Sequence, residues 1–158
     1  MRGEFRRIGD LTVIVDCYNA NPQSVRAALD VLDGQGVAAR KVAVLGSMLE
    51  LGERSTALHE EVLRDALSRS IDVVVATGAF ASAAEVVGGT DERLIVAEDW
   101  SSAYPRLRSR LKGDEVVLLK ASRGIRLEGI LPLLEEDFGA RNAEARLEAE
   151  RVRRAVEA

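Results

Sequence analysis

The chain has 158 residues, of which 47% are hydrophobic and 30% charged, with a formal net charge of −4. That balance describes one soluble globular domain, long enough to bury roughly two thirds of its unfolded surface. The acidic balance and an aromatic content of 4% argue against a nucleic-acid partner, which needs a basic face and stacking rings.

A single cysteine, Cys17, excludes an intramolecular disulfide and fits a cytoplasmic location. The N-terminus has no apolar segment of the signal-peptide kind, and no uninterrupted apolar run approaches the ~18 residues of a membrane span. In chain order, Glu4 to Ile8, the turn pair Gly9-Asp10 and the apolar run Leu11 to Val15 predict an opening hairpin. Asn21 as N-cap and Pro22 at the first helical position start a helix with Val25, Ala28, Leu29 and Leu32 on one face, stopping near Gly34 and Gly36. Lys41 to Leu45 reads as a buried strand. Arg54 to Ser70 reads as a helix with Leu58, Val62, Leu63, Ala66 and Leu67 inward. A strand from Ile71 to Ala76, a short helix from Phe80 to Val87 and a brief strand from Leu94 to Val96 follow. Asp99 caps a helix reaching Leu111. Glu115 to Leu119 is the last strand, and one helix is expected from Ile125 to Phe138.

Strands alternating with helices predict an α/β fold: a Rossmann-like three-layer sandwich, mostly parallel, with the hairpin as an antiparallel edge. Residues 1–139 form this domain, and 140–158 form a tail rich in Arg, Glu and Ala. Pairs such as Arg146–Glu150 at i,i+4 spacing make the tail a solvated helix, and Leu147, Val152 and Val156 leave only a thin apolar stripe.

In open α/β sheets ligands sit beyond the carboxyl ends of the strands. Here those ends are polar or glycine-rich: Asp16 to Pro22, Gly46 to Glu53, Thr77-Gly78, and Lys120 to Gly124. Asp16 can accept two ribose hydroxyls, Tyr18 offers a flat face, and Asn19 and Asn21 both donate and accept. Lys120, Ser122 and Arg123, ahead of the expected helix, suit an anion. The Asp16 turn equally fits a cap that serves only the fold. Without a ligand, Asp16 is expected to bond water or the backbone N–H groups of the Tyr18 to Asn21 turn. No P-loop, no dinucleotide glycine fingerprint and no zinc-ligand set occurs in these residues. Cys17 reads as a small buried residue and His59 as a packed or capping one.

Three segments resemble one family. Asp16-Cys17-Tyr18-Asn19-Ala20-Asn21-Pro22-Gln23-Ser24 is similar to the D-x-Y-N-A-N-P-x-S segment of Mur ligases of the D-alanyl-D-alanine-adding type. Val44 to Glu53 resembles their V-L-G-D-M-L-E-L-G-E, with Ser47 in place of the usual Asp and His59 at the family's histidine. Leu119 to Glu128 resembles V-K-[GA]-S-R-G-x-x-L-E, and Arg2-Gly3-Glu4 resembles the R-G-E that opens the C-terminal domain.

The resemblance implies a C-terminal domain that closes over ATP and presents the incoming amine. It implies a central domain that supplies the P-loop and Mg2+ ligands, and an N-terminal domain that holds the UDP-sugar. The implied partners are UDP-N-acetylmuramoyl-tripeptide and D-alanyl-D-alanine. Arg2 and Asp16 would contact ATP, with Tyr18, Asn19 and Asn21 lining the cleft. Lys120, Ser122 and Arg123 would face the peptide substrates, Ser47 being in doubt, and no residue here would be catalytic or bind metal. A free-standing nucleotide- or peptide-binding module reusing the fold stays open beside this reading.

Overall fold

The computed structural model describes residues 3–36 and 39–157, the side chains of residues 140–146 excepted. Strands β1 (Glu4–Ile8) and β2 (Leu11–Asp16) form the opening hairpin, antiparallel and joined at Gly9-Asp10. Helix α1 (Pro22–Asp33) begins as the sequence predicts. The Asn21 side chain accepts from the Ser24 N–H at 2.8 Å, and the Ser24 hydroxyl accepts from the Asn21 N–H at 2.9 Å. This reciprocal cap satisfies two N–H groups that a helix start leaves open.

The chain continues through β3 (Lys41–Leu45), α2 (Ser55–Ser68), β4 (Val73–Thr77), α3 (Ala79–Val87), β5 (Leu94–Ala97), α4 (Trp100–Arg110) and β6 (Val116–Lys120). The sheet order is β1-β2-β6-β3-β4-β5, and every pairing except β1–β2 is parallel. Residues alternate faces along each strand. Ile14, Ala43, Leu45 and Leu118 meet α1, α2 and α3 on one face. Val13, Val15, Val42, Val44, Val117 and Leu119 meet α4 and the segment after β6 on the other. The three-layer α/β sandwich with an antiparallel edge hairpin is therefore the observed fold.

Two expectations change. On α2, Leu58 and Leu67 are only half-buried, and His59 takes the fully buried place. After β6 there is no single helix from Ile125 to Phe138. Two 3-10 turns (Arg123–Ile125 and Leu127–Gly129) flank Arg126, whose φ of 55° is left-handed. They lead to a short helix α5 (Ile130–Leu134) and a π-turn, Glu135–Gly139. The left-handed backbone of Arg126 interrupts the helical run. A Cβ at Gly129 would lie 2.4 Å from the Trp100 ring, so that position admits no side chain. Helix α6 (Ala140–Glu157) then runs on, and its described side chains from Leu147 to Glu157 are exposed.

The amino ends of the strands are pinned by polar groups. Glu115, fully buried, accepts from the Arg40 guanidinium at 2.8 Å and from the N–H groups of Lys112 and Gly113 at 2.8 and 2.9 Å. A buried carboxylate of this kind is tolerated because its lone pairs are filled. Replacing it removes the carboxylate that the Arg40 guanidinium and the Lys112 and Gly113 N–H groups share. Glu115→Ala is expected to lower the unfolding free energy by about 3 kcal/mol in urea titration, with no change at the opposite, carboxyl-end rim.

Candidate functional site

The carboxyl ends of β2, β3, β4 and β6 converge on one rim, and the topology selects one place along it. β2 is followed by α1 on one face of the sheet, whereas its neighbour β6 is followed by α5 on the other. Chain exits to opposite faces from adjacent strands open a crevice at that point. The last residues of these strands are Asp16 and Lys120, paired in register.

In-register parallel neighbours point to the same face about 4.8 Å apart. Their side chains accordingly meet: Lys120 Nζ lies 3.0 Å from Asp16 Oδ1 and donates to the Asn19 carbonyl at 2.7 Å. Asp16 is therefore partnered by Lys120 rather than by the backbone N–H groups of the Tyr18 to Asn21 turn. The lysine is 2% exposed, so its ammonium faces inward.

Asp16, Tyr18, Asn19, Asn21 and Lys120 line one cavity of about 770 Å³ between the hairpin edge and α1, floored by Ile14 and Ala28. Phe5, Gln23 and Val31 also line it, and no motif pointed to them, because only the tertiary placement of β1 across the cavity from α1 brings them near. On the opposite face a second cavity of about 490 Å³ is lined by Cys17, Arg123, Glu128, Leu131 and Pro132. Tyr18 borders both cavities, and the Arg123 guanidinium sits 5.4 Å from its ring centroid, a cation–π distance.

The expected anion group of Lys120, Ser122 and Arg123 is not assembled. Lys120 turns to Asp16, Ser122 turns inward to the Leu49 N–H at 2.8 Å, and Arg123 stacks on Tyr18. Ser122 and Arg123 lie past the end of β6, and a 3-10 turn stands where a full helix start was expected. Arg2 lies outside the described residues. Burial, with the Glu128 carboxylate adding to it, pushes the Cys17 thiol up to about 12, so it holds its proton at neutral pH and is no nucleophile.

The family model for the Mur ligase glutamate ligase domain matches residues 1–123. The chain belongs to the Mur ligase family. It is 36% identical over 148 residues to the UDP-N-acetylmuramoyl-tripeptide–D-alanyl-D-alanine ligase of Mycobacterium tuberculosis, a match covering 80% of this chain and 29% of that protein. Its fold superposes on MurF from Acinetobacter baumannii with a TM-score of 0.77 at 34% identity, covering 85% of this chain and 30% of that one. MurF from Thermotoga maritima, solved in complex with ADP, gives 0.70 at 31% identity, covering 89% and 31%. The chain thus spans under a third of the length of these relatives.

In this Mur ligase domain the remaining motif residues frame the rim. The Ser47 hydroxyl accepts from the Ala79 N–H at 2.8 Å, capping α3 from the loop after β3. Gly78, at φ 59°, makes room for it: a Cβ there would lie 2.2 Å from Ser47 Oγ. The Ser47 carbonyl accepts from the Ser122 N–H at 3.1 Å. Neither Ser47 nor Ser122 lines either cavity. Buried His59 holds the β3 loop to α2. Its Nε2 accepts from the Met48 N–H at 2.9 Å, so Nδ1 carries the proton and donates to the Ser55 carbonyl at 2.7 Å.

Ser47→Ala should cost about 1 kcal/mol of stability, the usual value of a lost N-cap. Ser47→Asp should recover it, because a carboxylate caps α3 and complements its positive end. Urea titration of both variants checks this. Burial lowers the His59 pKa below its ordinary value of about 6.5. The unfolded chain therefore takes up the proton first as pH falls. The stability that neutral His59 contributes is complete above pH ~6.5 and declines below it until the folded-state pKa is passed. His59 is the sole histidine, and ordinary carboxylates titrate near pH ~4. Melting curves between pH 7.5 and 5.5 should fall for the wild type and run flat, from a lower plateau, for His59→Gln.

Proposed function

We propose that this chain is the C-terminal domain of an ATP-dependent ligase that adds D-alanyl-D-alanine to UDP-N-acetylmuramoyl-tripeptide in peptidoglycan precursor synthesis. The observation that carries the reading is the Asp16 carboxylate, held at the switch point in the cavity with Tyr18, Asn19 and Asn21. Support comes from its presence in a chain 36% identical to a ligase of that name and 31% identical to a MurF solved with ADP.

The residues present fit a nucleotide. The cavity is of ligand size, and a carboxylate, a flat half-exposed tyrosine ring and two amides converge in it. When bound, ATP supplies the phosphoryl group that activates the tripeptide carboxylate. Asp16 accepts hydrogen bonds from the ribose hydroxyls, Tyr18 presents its ring, and Asn19 and Asn21 border the nucleotide. Arg2 also contacts ATP in this reading. Arg123, over the Tyr18 ring, faces the peptide substrates in this reading, with Ser122 and Ser47 holding the neighbouring loops. The residues do not fit Mg2+: among the described residues no three carboxylate, histidine or cysteine side chains gather into a cluster. The ion belongs in this reading to the central domain, and no step here runs through it.

Domain closure over substrates raises the rate by positioning the reactants and excluding water. The N-terminal and central domains are accordingly the partners, the cytoplasm is the location, and residues 1–139 are the working unit, with 140–158 as an appended helix. No helix among the described residues is long and apolar enough to cross a membrane.

The test uses ATP titration of a full-length ligase carrying this domain. Asp16→Ala should weaken ATP binding roughly 10- to 150-fold, the worth of hydrogen bonds to a charged acceptor, and leave tripeptide binding nearly unchanged. A fall in melting temperature with ATP affinity unaltered would return Asp16 to a purely structural role. The isolated 158 residues should neither hydrolyse ATP nor ligate D-alanyl-D-alanine, since a phosphate cradle of backbone N–H groups, a lysine and Mg2+ is required.

A further inference from the structure

The three residues Lys120, Asp16 and Asn19 form a unit that neither the family resemblance nor the comparisons assign. The Lys120 ammonium is directed at two acceptors, one oxygen of Asp16 at 3.0 Å and the Asn19 carbonyl at 2.7 Å. It is the least exposed charged group at the rim, and β6, between β2 and β3, holds its backbone on both sides. The Asp16 side chain stays 15% exposed and lines the larger cavity. Among the described residues, its second oxygen has no protein partner.

A carboxylate with both oxygens free samples several rotamers. One with an oxygen fixed by a rigid cation presents the other in a single direction. The same ammonium ties down the carbonyl of Asn19, the first residue past Tyr18, so the turn lining the cavity is fixed relative to the carboxylate. We propose that Lys120 is a positioning residue: it orients Asp16 and the Tyr18–Asn21 turn for a ligand and does not itself touch the ligand. This deepens the nucleotide reading of the cavity and corrects the place of Lys120 within it, from substrate contact to buried counter-ion.

The experiment compares the wild-type chain with Lys120→Met, Asp16→Asn and the double variant. It measures by NMR the three-bond couplings that report the side-chain rotamer at position 16, and ADP affinity by chemical-shift titration. The wild type should show one rotamer, and folded Lys120→Met should show averaged couplings. Freeing a side chain among three wells dilutes the binding-competent one about threefold, and freeing the turn dilutes it further, so Lys120→Met should weaken ADP about three- to tenfold. Lys120→Met should cost less in the Asp16→Asn background than in the wild type, because the part of its effect that runs through the Asp16 carboxylate is already lost and only the turn remains to be freed.

If Lys120→Met fails to fold, Lys120→Gln, which keeps a donor toward Asn19, carries the same comparison. A single Asp16 rotamer retained in the folded variant overturns the proposal, and so does a loss from Lys120→Met that is as large in the Asp16→Asn background as in the wild type. Averaged couplings in Lys120→Met, together with an ATP affinity of the full-length ligase that Asp16→Ala leaves unaltered, would support the positioning role and overturn the nucleotide reading instead.

Discussion

The last strand of the sheet is inserted between two strands made much earlier in the chain, and the rest of the molecule follows from that insertion. β6 lies between β2 and β3, so its residues are covered on both faces and bonded on both edges. Only a continuously apolar strand can occupy such a place, and Val116 to Leu119 is one. The polar residue that ends it, Lys120, is consequently delivered into a nearly closed position. An ammonium there requires an anion within reach. The parallel register supplies Asp16 from the adjacent strand.

The same insertion makes the site. Because the chain leaves β6 toward one face and β2 and β3 toward the other, the loops part on either side of the β6 end. Two cavities result, one on each face of the hairpin edge, with Tyr18 and its stacked Arg123 between them. The walls are held by short-range polar ties. Ser122 binds the Leu49 N–H, Ser47 caps α3, and His59 clasps Met48 to Ser55. Motif residues at the rim thus divide between those that face the larger cavity and those whose hydrogen bonds hold the loops that shape it.

Much of this was legible in the residues alone. The Asn21–Ser24 cap, the Asp99 cap, the hairpin turn and the apolar runs of the strands are local signals, and each element they predict is present within a few residues. Parallel strands buried on both faces and the polar strand ends also identify the rim, since α/β sheets bind ligands there. The resemblance of three motifs to the Mur ligase family follows from contiguous residues, and the family match over residues 1–123 bears it out.

Tertiary structure alone decided the partnership of the side chains. Asp16 and Lys120 lie on the second and the last strands of the chain, and nothing in either segment says that they share an ion pair rather than serve two different ligands; the strand order does. The expected Ile125 to Phe138 helix is likewise interrupted at Arg126, whose left-handed backbone no local pattern announces. Helical periodicity reports an apolar face but is blind to what that face meets. The sequence therefore determined the elements, their layers and the rim, because those depend on neighbours a few residues away. Which polar groups face a ligand and which are consumed inside the fold was decided by contacts between distant strands, which have no local signature.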